Sequence, residues 1–456
     1  MKKLSSLTTL LVAMSGSAGA MDFKPSGSLT SFNRIGFNNA PMNVKENLYP
    51  TESWGTFIVK AQVDADFLSK EQKESGQSFT GSIGIFAGGL IYDNSRRWGN
   101  ADFDKNFNLK SGDSVVGAWY VIANANIYNL YGRYEIRKPN ADGTADHVFS
   151  IKGGRYESSA EFMYAYTQGF ELDYKYKGLN LWWYSSFGRA FAEGSWMYPW
   201  YNPKQMNNVN YGIHILQLSY TFKSGFHIQP YVYISPDFYV APILKLIYDS
   251  NPNFNKQGVR SKTTVNFMYV HHTPAAAKQW RYLAIAGHDA QTLNFTEQVD
   301  INNYYIAAGG YFNFGNANAQ LGTYGNPWIP WNYWSSTVYQ MGGMTAALTK
   351  NAKSGYIYVG GSHLGGKLEW RILGRITRSP FENEASIPFN LYYTVNKYFK
   401  MWFKLEWQTA TLHKGYVIAL IPNNPGSYYL PGSPFKATKN VTQDRSNFMF
   451  SFTYSF

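Results

Sequence analysis

The sequence predicts an all-β fold: a transmembrane antiparallel β-barrel with long extracellular loops and short periplasmic turns. Short segments in which apolar and polar residues alternate recur along the whole chain, separated by turn residues. Aromatic residues make up 18% of the chain, although its mean hydropathy is negative. The last ten residues, Asn447–Phe456, alternate strictly between small or polar and aromatic side chains. Alternation dilutes the apolar residues of a membrane barrel, so this composition fits the fold.

The C-terminal segment shows the alternation most clearly. A period of two indicates a strand, because successive side chains leave opposite faces. A wholly aromatic face needs an apolar solvent, which here would be lipid. The pattern resembles the C-terminal signal strand of bacterial outer-membrane barrels, which ends in Phe and is read by the barrel-assembly machinery. That resemblance implies an assembly signal formed by Phe448, Phe450, Phe452, Tyr454 and Phe456.

The N-terminal segment predicts a secretory signal peptide. Lys2 and Lys3 precede an apolar stretch, Leu4–Met14, and Ala18–Ala20 supply a small-residue cleavage site. The apolar stretch is too short to cross a bilayer as a helix. We therefore expect an exported protein of the bacterial outer membrane, with a signal peptide over 1–20 and a single barrel domain over 21–456.

Composition narrows the class of protein and its partners. The chain has 0 Cys, which excludes a disulfide framework and a lipid-modified cysteine. No stretch after the signal peptide is apolar for long enough to predict a helical membrane span. The formal charge is +12. For an exported barrel this favours anionic solutes, the phosphates of lipopolysaccharide or host glycans as partners, and no nucleic acid.

Several strands and turns can be read along the chain. One hairpin joins Phe170–Tyr176 to Leu179–Phe187, a second joins Leu216–Phe222 to Phe226–Ile234, and a late strand covers Met401–Trp407. Such tight connections are expected at the periplasmic side. Irregular stretches rich in Asn, Gly, Pro and aromatic residues predict the extracellular loops: Asn94–Asp113, Gly188–Asn210, Asp249–Ser261, Asn326–Ser336 and Asn423–Asp444.

The same spacing sets the strand number and suggests where the pore narrows. Each strand needs about ten residues and its connection about as many again, which gives roughly 18 strands, in the range 16–20. A barrel of that size leaves an aqueous channel. A loop that folds inward would narrow it, and Asn326–Trp334 suits that role; packing on the barrel rim is the alternative.

Alternation also assigns side chains to the lumen. On Lys367–Arg378, placing Arg371 and Arg375 in lipid would cost about 2–4 kcal/mol each near the midplane, so they and Glu369 should face inward. By the same argument two further sets should face inward: Tyr131, Arg133, Glu135 and Arg137, and Lys60, Gln62, Asp64 and Asp66. The apolar positions between them should face lipid: Tyr128, Leu130, Tyr134 and Ile136, and Phe57, Val59, Val63 and Phe67.

Arginines that face carboxylates across a lumen can draw a hydrated anion through a constriction. We therefore expect Arg133, Arg137, Arg371 and Arg375, with Glu135 and Glu369, to line a pore biased towards anions or carboxylates. The alternative is that these charges only solvate or bridge the wall and that permeation is unselective.

Two motifs partly resemble nucleotide-binding, catalytic or metal sites, but each lacks residues that such a site needs. Gly361–Lys367 nearly matches a phosphate-binding loop, yet Leu368 stands where Ser or Thr must reach magnesium, and a strand follows. His271-His272 and His288-Asp289 lack a catalytic or metal-binding partner set at convincing spacing. The sequence therefore predicts no enzyme, no cofactor and no metal site.

A family resemblance rests on four pieces of sequence. Ser31–Asn39 and Tyr49–Trp54 look like the opening of porins of epsilonproteobacteria, and most resemble the Helicobacter outer-membrane (Hof-type) family, itself similar to OprD-like porins. Gly153–Tyr156 followed by Thr167–Tyr174 resembles the Gly-Arg strand, long loop and next strand of OprD-like porins. The resemblance implies an 18-stranded barrel for small-solute uptake, a monomer or trimer, and Arg155 as a member of a basic ladder. The loop proline that commonly follows the Gly-Arg strand is missing.

Two functions follow from these observations. The first is a passive porin for small hydrophilic solutes, biased towards anions or carboxylates. The second is a surface adhesin whose basic, aromatic loops bind anionic host glycans. A dedicated adhesin usually carries a large exported domain, and the sequence shows none, so loops would have to do the binding.

Overall fold

The computed structural model describes residues 22–40, 46, 48–95, 116, 121–140, 145–202, 209–274, 288–314, 346–415 and 437–456. The signal peptide predicted over 1–20 lies outside these residues and stays a prediction. So does the inward-folding loop predicted at Asn326–Trp334. Within the described ranges, no helix is long and apolar enough to cross a membrane.

The described residues form twenty strands. They are β1 (Asp22–Gly36), β2 (Trp54–Asp66), β3 (Gln77–Asp93), β4 (Asn124–Pro139), β5 (Ala145–Glu157), β6 (Tyr166–Tyr176), β7 (Leu179–Glu193), β8 (Trp196–Tyr201), β9 (Ile213–Thr221), β10 (Phe226–Ser235), β11 (Tyr239–Asp249), β12 (Val259–His272), β13 (Asp289–Ile301), β14 (Tyr304–Phe314), β15 (Lys353–His363), β16 (Leu368–Arg378), β17 (Glu382–Thr394), β18 (Phe399–Leu412), β19 (Val441–Asp444) and β20 (Asn447–Ser455). A short helix, α1 (Lys70–Glu74), and two 3₁₀ turns, Ala346–Leu348 and Leu364–Gly366, complete the list.

These strands close into a barrel of eighteen antiparallel strands. Each wall strand pairs with its neighbours in the chain, while β8 pairs only with β7 and β19 only with β18. Leaving those two out of the twenty gives eighteen. The circle closes because β20 pairs with β18 on one side and with β1 on the other. The predicted all-β transmembrane barrel and its strand number are therefore confirmed.

The C-terminal segment forms the strand that its alternation predicts, and Phe450 pairs with Phe403 of β18. Phe456 ends the chain on β1: its backbone N–H donates to the carbonyl of Gly27 at 3.0 Å, and the Gly27 N–H donates back at 2.9 Å. The Phe456 ring lies 2.5 Å from where a Cβ on residue 27 would stand, so only glycine fits there. The segment Trp54–Asp66 is not part of this junction; it is β2, which pairs with the other edge of β1.

The barrel has a turn end and a loop end. The turn end carries residue 22, residue 456 and the tight connections at Lys177-Gly178 and Asn302-Asn303; the loop end is opposite. Asp249–Ser261, predicted as an extracellular loop, connects β11 to β12 at the turn end instead. Its composition resembles that of a long loop, but strand direction decides its place. A second prediction also changes, because the Gly188–Asn210 stretch begins inside β7 and contains β8.

Candidate functional site

The barrel wall turns into the lumen between β4 and β7. The ladder between β4 and β5 runs from the turn end to the pair Leu130–Arg155 and stops, while β4 continues to Asn124 paired with β3. At this level Gly154 has a φ of 126°, and a Cβ there would stand 2.2 Å from the carbonyl oxygen of Leu130. Only glycine tolerates both conditions. The Gly-Gly-Arg segment is thus the point at which the wall separates.

The upper part of β7 follows this bend and crosses the lumen with β8. Residues 188–202, here called the inner hairpin, leave β9 after the pair Ser186–Ile213. At its tip the Thr56 hydroxyl of β2 donates to the carbonyl of Gly194 at 2.6 Å. Trp200 Nε1 donates to the carbonyl of Ile127 on β4 at 2.9 Å. The hairpin is therefore fastened to the inner surface of β2 and β4.

A second segment crosses in the other direction. Residues 158–165, here called the inner loop, connect β5 to β6 and reach the inner face of β10 and β11. The Tyr231 hydroxyl donates to Glu161 at 2.8 Å, and Lys245 Nζ lies 2.8 Å from the other oxygen of the same carboxylate. Phe162 is 1% exposed, and its ring centroid lies 5.7 Å from that of Tyr233. One ion pair and an apolar anchor thus hold the loop across the barrel.

The sequence-predicted residues of β4 face the lumen as a charge-paired group. Glu135 is buried and accepts hydrogen bonds from Arg133 at 2.5 Å and from Arg137 at 2.5 Å. The two arginine side chains remain 44% and 60% exposed. The three residues therefore present one net positive charge to the lumen rather than two.

Tyr128, assigned to the lipid face by alternation, faces the lumen instead. Gly84 of β3 pairs with Asn129 and Ile85 pairs with Ile127, so Tyr128 is the extra residue of a β-bulge. Its hydroxyl donates to Gln62 at 3.1 Å, and its side chain is buried. A bulge shifts the alternation by one position, which the sequence pattern does not reveal.

Arg155 lies at the bend and not in a row with the arginines of β4. Its guanidinium carbon sits 4.7 Å from the centroid of the Trp200 ring, and its Nε donates to Gln168 at 3.0 Å. It pairs across the sheet with Leu130, whose side chain faces outward and is 50% exposed. The arginine therefore packs the seam between β4 and the inner hairpin.

Arg375 faces the inner side of the wall but is 3% exposed. Its guanidinium lies 2.7 Å from Glu384 and donates to Thr377 at 2.8 Å. A second buried pair lies nearby on β18, where Lys404 Nζ is 2.6 Å from Glu406. Two more lie close to the junction of β1 and β20, namely Arg34–Glu52 and Arg445–Glu382. Together four cations and four carboxylates form a neutral cluster, here called the buried charge cluster: Arg34, Glu52, Arg375, Glu382, Glu384, Lys404, Glu406 and Arg445.

The cluster also fixes the loop end of the wall. Arg34 of β1 contacts Glu52 at 2.8 Å in the β1–β2 connection, and Arg445 contacts Glu382 of β17 at 3.6 Å. Burial lowers the pKa of Arg445, and the neighbouring carboxylate of Glu382 opposes that shift. Since the charges balance and little of them is exposed, the cluster contributes no net field to the lumen.

Arg371 and Glu369 lie on the same face of β16, nearer the turn end. Arg371 is half-buried, and its guanidinium carbon lies 5.9 Å from the centroid of the Tyr358 ring. Within the described part of the chain, no carboxylate lies at ion-pair distance from Arg371. Glu369 is exposed. Of the predicted arginines on β16, Arg371 alone keeps its charge open to the lumen.

Sequence reasoning placed Lys60 on the lumen side but missed its tyrosine partners, and it missed Lys152. Lys60 Nζ lies 5.3 Å from the ring centroids of both Tyr128 and Tyr166 and donates to the Tyr166 hydroxyl at 3.2 Å. Lys152 Nζ lies 4.0 Å from the Tyr156 centroid and 3.5 Å from Glu171. Tyr128 and Tyr166 come from strands that do not neighbour β2, so no local pattern could have predicted them. Glu171, in contrast, lies directly across from Lys152 on the neighbouring strand β6.

The two rejected motifs have simple structural roles. Gly361–Lys367 covers the end of β15, a 3₁₀ turn and the residue that precedes β16. His271 pairs with Asp289 at 2.6 Å across the ends of β12 and β13. Among the described residues, no group of three or more His, Cys, Asp or Glu side chains could hold a metal ion.

Comparison with known proteins adds a family and a fold. Residues 8–456 match the family described as "Putative outer membrane protein". No curated protein matches the chain. OccAB3 of Acinetobacter baumannii is 12% identical with a TM-score of 0.60, covering 95% of this chain and 99% of its own. OprD of Pseudomonas aeruginosa is 9% identical with a TM-score of 0.56, covering 95% of each chain. OpdK of the same organism, solved with vanillate, is 10% identical with a TM-score of 0.55, covering 95% and 98%.

Proposed function

The chain belongs to this family of outer-membrane proteins, and we propose that it works there as a porin through which small hydrophilic solutes diffuse passively. The turn end then faces the periplasm and the loop end the outside. Diffusion along a gradient needs no catalysis and no cofactor.

The observation that carries the proposal is a closed eighteen-stranded wall whose lumen is narrowed by two built-in segments. Barrels of this size hold water unless they are filled. Arg133 and Arg137 keep about half of their side chains exposed on one wall, and Tyr392 is 45% exposed on another. Side chains exposed on the inner face need solvent beside them. The inner loop and the inner hairpin therefore suit a constriction rather than a plug.

The charges support a modest preference for anions. Arg133, Arg137 and Arg371 are the exposed or half-exposed cations among the predicted selectivity residues, and Glu135 cancels one of the first two. Arg375 is neutralised in the buried charge cluster, and Arg155 packs at the seam. The anion bias thus rests on Arg371 and on the net charge of the Arg133–Glu135–Arg137 group.

The finer parts of the proposal rest on sequence. The aromatic face of β20, from Phe448 to Phe456, is proposed as the signal for the assembly machinery, with lipid and lipopolysaccharide around the barrel. An epsilonproteobacterial origin rests on Ser31–Asn39 and Tyr49–Trp54, and the cleaved signal peptide on residues 1–20. The proposed porin could work as a monomer or as a trimer. Nothing in the described residues or the comparisons supports the adhesin alternative.

Planar-bilayer recording tests the porin directly. Refolded protein should give stepwise conductance in KCl, and the reversal potential in a KCl gradient should indicate a modest preference for chloride. Folding is verified first from the heat-dependent mobility shift of the barrel on a gel. Folded protein that inserts without open-channel current would exclude the porin.

A further inference from the structure

The inner wall of β14–β18 carries four partly exposed aromatic side chains around Arg371, here called the aromatic track: Tyr305, Tyr358, Tyr392 and Trp402. Their rings occupy adjoining positions. The Tyr305 and Tyr358 centroids are 5.9 Å apart at an interplanar angle of 74°. The Tyr392 and Trp402 centroids are 6.3 Å apart, with ring planes inclined by only 26°.

A glycine and neighbouring side chains fix the positions of two of these rings, Tyr305 and Trp402. Gly360 of β15 lies between Tyr305 and Arg371 in the strand register. The Tyr305 hydroxyl stands 2.2 Å from where a Cβ on residue 360 would be, so any side chain there would push the ring away. Trp402 is fixed by the hydrogen bond that its Nε1 donates to Asn390 at 3.3 Å, and by Phe32, whose centroid is 6.2 Å away at 20°. These contacts hold the Trp402 ring in one orientation.

The polar groups beside the rings are mixed in sign. Arg371 offers planar donors, and Glu369, two residues away on the same face, offers acceptors. Asn390 stands directly across from Arg371 on β17. Arg371 and Glu369 carry opposite charges, so a solute on this wall meets a cation and a carboxylate side by side. The wall offers flat apolar faces bordered by both donors and acceptors.

We propose that the aromatic track binds neutral sugar rings during their passage. A pyranose presents C–H groups on its flat face, which stack on an aromatic face, and hydroxyls around its rim, which need both donors and acceptors. The ring would lie on Tyr392 and Trp402, with its hydroxyls towards Arg371, Glu369 and the Tyr305 hydroxyl. This inference rests on the proposed porin function and names a solute class for it.

The test compares solutes of similar size in the bilayer assay. Glucose should reduce the ionic current of the wild-type channel saturably, whereas mannitol, an open-chain polyol, should reduce it only in proportion to viscosity. Trp402→Ala should raise the half-blocking glucose concentration about tenfold, the scale of one lost stacking contact. Tyr392→Ala, at a more exposed position, should act in the same direction and serves if the first variant fails to fold.

The matched control is Trp407→Ala, on the same strand but on the lipid face, where the side chain is 50% exposed. It should leave the glucose block unchanged. Equal effects of glucose and mannitol, or an unaltered block in both track variants, would overturn the proposal. Benzoate that blocks at lower concentration than glucose would also overturn it, in favour of ring acids. A wild-type protein that passes no ions would instead remove the porin, whereas conductance without a sugar block would remove the track alone.

Discussion

The inner wall of β14–β18 is built differently towards its two ends, and the two arginines of β16 show the difference. Arg375, towards the loop end, is 3% exposed and sits in the buried charge cluster with Glu384 at 2.7 Å. Arg371, four residues nearer the turn end, lies beside Tyr358 and opposite Asn390 and Gly360. Both are on the same face of the same strand. Cross-strand neighbours, not the alternation, decide whether such a charge stabilises the wall or faces the solute.

The largest difference between the two ends should appear in stability. Glu384→Gln removes the carboxylate at 2.7 Å from the buried Arg375 guanidinium, which should cost about 3–5 kcal/mol. Arg371→Met should change stability by no more than about 0.5 kcal/mol, because that side chain is half-buried and has no carboxylate partner among the described residues. Urea unfolding of the barrel in lipid vesicles, followed by tryptophan fluorescence, measures both. The pair Arg375→Met with Glu384→Leu should recover most of the loss, since no charge is then left unpaired.

Equal stability of Glu384→Gln and Arg371→Met would show that the buried charge cluster is not what holds the loop end. A loss that persists in the double variant would point to the hydrogen bond between the Ala346 N–H and Glu384, at 3.0 Å, rather than to the charge pair.

The inner loop extends the comparison, because an ion pair holds it across the lumen rather than within the wall. Among the described residues, Lys245→Met leaves only the Tyr231 hydroxyl in contact with the Glu161 carboxylate, which should weaken the docked loop by about 1–3 kcal/mol. Single-channel conductance should rise and become noisier as the loop leaves the lumen. Arg260→Met is the matched control, because Arg260 pairs with Asp249 and Asp300 between wall strands and touches neither inner segment. A conductance change of equal size in both variants would argue that the wall, not the loop, sets the constriction.

Ion selectivity should depend on Arg371, which is open to the lumen, and not on Arg375, which is buried. At about 4 Å in water the Arg371 charge stabilises a passing chloride by about 1 kcal/mol, so Arg371→Gln should lower chloride permeability by roughly fivefold at most and should lower the chloride-to-potassium permeability ratio. The double variant Arg375→Met, Glu384→Leu removes a neutral pair and should leave the ratio unchanged. Reversal potentials in a KCl gradient measure both. If the double variant shifts the ratio as much as Arg371→Gln does, the buried charge cluster is open to the lumen after all.

The fold was predictable because membrane strands must alternate and must close. The all-β barrel, the closing strand and the inward face of β16 follow from a period of two and from the cost of charge in lipid, and the strand number follows from the chain length that each strand and its connection need. Errors arose where a local rule is broken by an extra residue or by a partner distant in sequence. Tyr128 changed sides at a bulge, and Asp249–Ser261 changed ends because composition does not determine strand direction.

The candidate site was less predictable for the same reason. Glu161 reaches Lys245 over 84 positions of sequence, and the inner hairpin reaches β2 through Thr56 and Gly194. No pattern within one segment encodes such contacts. Glycines in the sequence could have indicated two of these features. Gly153-Gly154 lies at the bend of the wall, and Gly360 leaves the space that the Tyr305 ring occupies. A glycine inside a strand often indicates a close approach, which could have located both features.

The smallest expected effect concerns Arg155, which the family resemblance assigns to a basic ladder and the structure stacks on Trp200. Arg155→Met removes a cation–π contact worth about 0.5–1 kcal/mol and a hydrogen bond to Gln168, so stability should fall slightly. The reversal potential should not move, because the guanidinium packs at the seam between β4 and the inner hairpin rather than along the passage. Urea unfolding and bilayer recording on the same preparation measure the two quantities. A shift in selectivity comparable to that of Arg371→Gln would return Arg155 to the ladder and would mean that the seam is part of the solute's path.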